Sequence, residues 1–255
     1  MKKIILSALS LMSAGTMMAQ FTAYDNNGNV LFEMKDTRPS YIEFSVAPET
    51  ENGHKYVDLL LPSTNLWATC NVGANSPEES GDYYAWGETI AKSVYDENTY
   101  VDKGYVKYNS DRKKTLDNQD DVAVMKWGGK WRVPSAEDLQ ELIEHCVWVS
   151  TSSYKGKDVK GFIVFRAKKK ADKGTVSSEK LDNYDEAKDD HIFLPWAGYV
   201  DGKDTLNAGK VGAYISRDMG EDGESAHLLN VGKNINLIEF TREFGYSVRP
   251  VISFE

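Results

Sequence analysis

The chain has 255 residues, with 30 basic and 39 acidic side chains, a net charge of −9 at pH 7 and 41% hydrophobic residues. That is material for one sizeable domain, or a domain with a small appendage. The acidic balance argues against non-specific nucleic-acid or anionic-membrane binding, and two cysteines cannot by themselves build a cysteine-rich metal site.

Lys2 and Lys3 form a basic start, Ile4 to Met12 an apolar run, and Ser13 to Ala19 a small-residue exit. This is the pattern of a secretory leader over residues 1–19, cleaved after Ala19, although Met17 is bulkier than the usual residue at its position. The run is too short to span a membrane, and no cysteine at the cut offers a lipid anchor. The expectation is an exported protein of the periplasm, cell surface or extracellular space. Beyond the leader, 28 basic residues face 39 acidic ones, a net charge of −11, which suits simple solubility.

Residues 20–55 read as a small β unit and linker. Phe21–Tyr24 and Val30–Met34 flank Asp25–Asn29, a stretch of hairpin-turn composition. Tyr41, Ile42, Phe44 and Val46 suggest another strand, and Ala47 to His54 suits a linker. An EF-hand reading of Asp25, Asn27 and Asn29 fails, because Gly28 stands fourth where that loop needs its glycine sixth.

The principal domain is expected over 56–255. Val57–Leu61 and Leu66–Val72 are apolar strands. Between Ser93 and Arg112, Tyr95, Tyr100, Tyr105 and Tyr108 alternate with amides and carboxylates. That mixture suits sugar stacking, and equally a loop that packs its tyrosines onto the core. Val122–Met125 reads as a short helix behind the acidic run Asn118–Asp121. The firm helix follows Pro134: Ser135 is its N-cap with Asp138 as capping-box partner, and Leu139, Leu142, Ile143 and Cys146 form one apolar stripe. Trp127, Trp131 and Trp148 bracket it. Next come a strand at Gly161–Arg166, a charged loop from Lys168 to Asp190 and buried-strand material over His191–Val200. A strand at Val211–Ser216, the acidic loop Met219–Glu224, a hairpin from Ala226 to Phe240 and a closing strand over Tyr246–Phe254 complete an α+β chain. Cys70 and Cys146 leave two readings open. A bridge would close a loop of about 76 residues, worth roughly 4 kcal/mol; the alternative is two free thiols, Cys146 lying on the helix stripe.

Five ordered segments, Leu66–Ala74, Gly81–Thr89, Trp127–Ser135, Phe193–Tyr199 and Gly245–Val251, resemble the Fibrobacter succinogenes major paralogous domain, common in secreted proteins of Bacteroidetes. The resemblance spans about residues 56 to 254. It implies a fold similar to C-type lectin-like domains and to the formylglycine-generating enzyme, preceded by a small N-terminal unit. Where the family carries Tyr-Trp-Ser-Ser, this chain has Tyr214-Ile-Ser-Arg217. The formylglycine-generating relatives use a late pair of cysteines, and nothing after Cys146 is a cysteine, so that chemistry has no nucleophile here.

Other catalytic patterns are also missing. His54, His145, His191 and His227 form no pair at metal-ligand spacing; a meeting of His191 and His227 across strands is the one alternative to ordinary surface or core histidines. Glu88 and Arg249 sit in aromatic motifs and read best as groups that fix loops. Calcium is the metal that Asp- and Asn-rich loops outside a cell would take, with no spacing that identifies a site. The expectation is therefore a non-enzymatic, exported module that binds a glycan or surface protein through Trp196, Tyr199, Asp201, Tyr214, Asp218, Glu221 and Asp222. The rival expectation is a structural or assembly module of the bacterial surface with no small ligand, marked by an apolar surface or strand edge.

Overall fold

The computed structural model describes strands within residues 6–34 and, in full, residues 50–179, 181, 184–187 and 190–253. The chain divides into two compact units, Met1–Ala47 and Pro48–Glu255. In the first, β1 (Leu6–Leu11), β2 (Met18–Tyr24) and β3 (Val30–Met34) make an antiparallel sheet in that order. The expected hairpin arms pair from Phe21↔Met34 onward. Its turn, Asp25–Asn29, and the strand expected over 41–46 lie outside the described residues. Strand β1 and the start of β2 fall in the segment read as a leader.

The second unit begins with β4 (Thr50–Glu51), β5 (His54–Val57) and β6 (Leu66–Ala68), followed by α1 (Val122–Trp127), β7 (Trp131–Arg132) and α2 (Ala136–His145). Then come β8 (Cys146–Thr151), β9 (Gly161–Arg166), β10 (Val176–Ser177), β11 (His191–Pro195), β12 (Tyr199–Asp201) and β13 (Asp204–Leu206). Strands β14 (Gly212–Met219), β15 (Ser225–Val231), β16 (Ile235–Thr241) and β17 (Val251–Ile252) finish it. The unit is strand-rich with α2 as its principal helix, an α+β fold. Its sheets run β4-β5-β6-β17-β7, β10-β8-β9-β11, β14-β15-β16 and β12-β13.

The helix starts where its sequence dictates. Ser135 Oγ accepts from Asp138 N–H at 3.1 Å and Asp138 returns the bond to Ser135 N–H at 2.7 Å, a complete capping box. Leu139, Leu142 and Cys146 enter the central core, with Trp67, Trp148, Phe162, Tyr214, Leu229 and Val251 around them. That core lies between two sheets. In β14 and β15, Tyr214, Leu229 and Val231 face it, while Ala213, Ile215, Ala226 and Leu228 face a second core built on Tyr84, Trp86, Trp127 and Trp131. In β8, β9 and β11, Trp148, Phe162, Val164, Ile192 and Leu194 face it, while Val147, Ile163, Phe165 and Phe193 face a third. Strands covered on both faces need no polar alternation, which explains the unbroken apolar runs Cys146–Val149 and Gly161–Phe165. Early and late strands of this unit meet: Val251 lies opposite Trp67 in β6 and Arg132 in β7.

Several expectations need correction. The supposed linker over 47–54 is partly a hairpin, Thr50↔Lys55 and Glu51↔His54, and from Pro48 onward it belongs to the second unit. It docks on the tryptophan corner: Trp131 Nε1 donates to Glu51 O at 2.8 Å, and His54 stacks on Trp127 at 3.8 Å. Gly129 suits this corner, since its φ of +61° is left-handed and an added Cβ would displace the Glu51 carboxylate, 2.5 Å away. His191–Val200 is not one strand, because the chain turns at Gly198 (φ +73°). The closing strand is reduced to Val251–Ile252, with Tyr246 and Ser247 making single bridges to Tyr84 and Tyr214. Within the charged 168–190 loop, β10 adds a parallel edge to β8. Cys70 and Cys146 are both free: Cys146 is sealed in the central core, its thiol pushed up to about 12 by burial and by Glu141, while Cys70 sits half-buried beside the Thr69 hydroxyl.

Candidate functional site

The tyrosines over 95–108 do not form a sugar platform. Tyr95, Tyr100 and Tyr108 are buried and Tyr105 half-buried. Their hydroxyls are spent internally, Tyr100 on Trp86 O at 2.7 Å, Tyr105 on Glu243 at 2.7 Å and Tyr108 on Asp120 at 2.5 Å. Rings that deliver 150–250 Å² of apolar area each are used to fasten a long loop.

Nor do the residues expected to bind ligand converge. Tyr214 is fully buried and donates to Pro195 O at 2.7 Å. It cannot be a surface contact, because its ring lies in the central core. Trp196 packs edge-on against Phe162, and Tyr199 stacks on Phe244. Asp201 and Glu221 are exposed at separate turns. Asp222 is an Asx cap, accepting from Glu224 N–H and from Ser225 N–H and hydroxyl, contacts that hold its carboxyl below the usual range. Among the described residues no group of three or more His, Cys, Asp or Glu is placed to hold a metal ion. His191 pairs with Tyr154 at 3.0 Å and His227 lies 4.0 Å from Glu239, so the two histidines do not meet.

Of the residues expected to bind ligand, Asp218 lines a cleft, a recess of about 560 Å³ at the start of α2. One wall is the turn Pro62–Asn65, another the first turns of α2, and the third Thr115 with Arg217 and Asp218. Its architecture rests on hydrogen bonds between segments distant in sequence. Glu141 takes Ser63 N–H at 2.7 Å and its hydroxyl at 2.6 Å. Asn65 Nδ2 donates to Asp138 Oδ1 at 2.6 Å, and Arg132 Nη1 to Asp138 Oδ2 at 2.6 Å. Asp218 accepts from Ala136 N–H at 2.7 Å, capping a helix donor from outside the helix, and from the Thr115 hydroxyl at 2.8 Å. Arg217 N–H donates to Pro134 O at 2.8 Å and its Nη2 to Leu116 O at 2.9 Å, while its buried Nε finds no partner among the described residues. Glu137 stands exposed on the rim.

Chemically the cleft mixes guanidinium donors with carboxylate acceptors and has no aromatic floor. Burial pushes the Asp138 carboxyl upward, but the hydrogen bond and charge of Arg132 and the bonds from Ser135 outweigh it and hold the group below its usual value. A carboxyl so held stays ionised near neutrality and is no general acid. Its folded-state value is depressed, so its stabilisation is complete above the ordinary aspartate value of 3.8 and is lost as pH falls through the lower folded value. Asp138→Asn should therefore cost about 2–3 kcal/mol at pH 7, and urea titrations should show the difference from wild type shrinking below about pH 4. A difference independent of pH would contradict this account.

Sequence reading missed Asn65, Arg132, Glu137, Glu141 and Arg217 as one group. Ser135 and Asp138 were visible as a cap, and Arg217 as a departure from a family pattern, but nothing local announces that Ser63 meets Glu141. A second depression, of about 440 Å³, lies among Glu88, Ile90, Val101 and Asp120. There Glu88 accepts from Lys92 Nζ and Val101 N–H and fixes the loop, as its motif suggested. No helix among the described residues is long and apolar enough to cross a membrane. Comparison of the chain with protein-family models, with curated proteins and with solved structures gives no match in any of the three.

Proposed function

We propose that the second unit is an exported, non-enzymatic binding module that takes a polyhydroxylated ligand, the exposed end of a glycan, in the cleft at the start of α2. The observation that carries this reading is the lining: side chains that donate, Arg132, Arg217 and Asn65, and side chains that accept, Glu137, Glu141 and Asp218, share one recess. Sugar hydroxyls both donate and accept, so a lining of mixed sign suits them, whereas four carboxylates against two guanidinium groups disfavour an anion. The segments quoted above support membership of the Fibrobacter succinogenes major paralogous domain family, with its C-type lectin-like architecture, and the basic-apolar-small start supports export. Loss of Arg217 should remove one to two charge-assisted hydrogen bonds, each worth about 1.5–3 kcal/mol. Arg217→Ala should thus weaken glycan binding about tenfold or more, and Glu137→Gln, on the exposed rim, should weaken it with no change in thermal unfolding. A glycan array followed by calorimetry checks both. Absence of any neutral oligosaccharide ligand at millimolar concentration would end the proposal.

A further inference from the structure

Strand β16 closes one side of the β14-β15-β16 sheet, and among the described residues no strand lies on its outer edge. Its ladder with β15 runs without a shift from Ser225↔Thr241 to Val231↔Ile235, whereas β14 and β15 are irregular between Ile215 and Met219. Natural edges are usually blunted by proline, lysine or a bulge. This seven-residue strand, INLIEFT, has none of these, and Glu239 is its one charge. Three outer strands of the neighbouring four- and five-stranded sheets, β4, β7 and β10, are two residues long, and the other, β11, ends in Pro195. Both faces at the edge are apolar and half-covered: Ile235 and Leu237 lean on the central core, and Ile238 and Phe240 lie on the other side, Phe240 39% exposed beside Tyr199 and Phe244.

We infer that β16 is an interface for a second copy of this chain, paired antiparallel about a two-fold axis at Asn236. The register follows from charge. With the axis at Asn236, Lys233 of each copy stands opposite Glu239 of the other, Ile235 opposite Leu237, and Asn236 opposite itself. Two unlike-charge pairs thus flank two apolar pairs and an amide pair that can hydrogen-bond across the axis. An axis at Glu239 would instead set two carboxylates face to face. Lys233, Asn236 and Glu239 are all exposed, and Glu239 is already steadied by Glu221 N–H and the Ser225 hydroxyl. The pairing joins two three-stranded sheets into one continuous sheet and removes both exposed edges.

Sedimentation of the full chain across the micromolar range tests it. A concentration-dependent dimer is expected. Lys233→Glu and Glu239→Lys should each raise the dissociation constant about tenfold or more, and the two together should restore it. Glu239 and Asn236 both touch their own chain, Asn236 Oδ1 accepting from Asn230 Nδ2 at 3.2 Å, so Asn236→Lys is compared with wild type diluted below its dissociation constant: two ammonium groups at the axis should give a monomer whose thermal unfolding matches that of the dilute wild type. A monomer at every concentration, a dimer indifferent to these changes, or β16 edge amides protected from exchange in a monomer would each overturn the inference, the last by showing that something else covers the edge.

Discussion

Arg242→Ala should lower the stability of the second unit by about 3–5 kcal/mol, the usual cost of removing one partner of a buried ion pair. The guanidinium is 1% exposed. Its Nη2 meets Asp102 Oδ2 at 2.8 Å, Nη1 donates to Gly223 O at 2.8 Å, and Nε to the Tyr100 hydroxyl at 3.1 Å. The same plane lies 4.4 Å from the Trp86 ring and 5.5 Å from Tyr105, so the charge is also held by aromatic faces. Asp102 in turn accepts from Val106 and Lys107 N–H. Truncation therefore strands a carboxylate at 9% exposure and releases the loop on which Tyr100, Tyr105 and Tyr108 are mounted. In a unit of this size the loss corresponds to a fall in Tm of about 10 °C. Trypsin should also begin to cut at Lys103 and Lys107 before global unfolding. Arg242→Lys keeps the charge but not the planar fork, and should recover only part of the stability. A loss under about 1 kcal/mol in urea titration, with the loop still resistant, would show that the tyrosines hold it unaided.

For Arg249→Met the expected loss is of the same order, about 3–5 kcal/mol, from a different cause. This guanidinium, also 1% exposed, bonds no carboxylate among the described residues. Nε donates to Asn71 Oδ1 at 2.8 Å, Nη1 to the carbonyls of Ala68 and Thr69 at 3.2 and 2.9 Å, and Nη2 to the carbonyl of Phe193 at 2.9 Å. It ties the end of β6 to β11, two segments in different sheets, through one side-chain amide oxygen and three backbone carbonyls. Burial pushes its acidity up, lowering its pKa, while its contacts oppose that trend. Methionine fills much of the volume but leaves those acceptors dry, and each buried unsatisfied polar group costs about 1–3 kcal/mol. Thermal and urea unfolding should register the loss together, since Cys70 and the loop after β6 would come free. Near-wild-type unfolding of the methionine variant would mean that water replaces the fork without cost.

Much of the fold was legible along the chain because its signals are local. The Pro134-Ser135 start, the Asp138 return bond and the stripe at Leu139, Leu142 and Cys146 depend on neighbours within two turns of α2. The hairpin from Ser225 to Thr241 announces itself by apolar runs around Gly232–Asn234. Arg249 was readable as a loop-fixing group because a lone arginine in an aromatic motif has little else to do. The tyrosines of 95–108 were ambiguous for a definite reason: alternation of rings and polar residues is the same whether the rings face water or core. For Tyr100 and Tyr105 the outcome rests on Arg242, more than a hundred positions away, whose guanidinium lies 5.7 and 5.5 Å from their rings.

Composition and spacing thus determined the strand-rich character, the one principal helix and its ends, since these follow from backbone capping and the side-chain period. Tertiary structure alone decided which faces are covered, that Tyr214 lies in a core instead of a binding loop, that Cys70 and Cys146 remain apart, and that Ser63, Arg132, Glu141 and Asp218 share one cleft. Those outcomes depend on contacts between segments tens to more than a hundred residues apart, and no periodicity within a strand or helix encodes what will be packed against it.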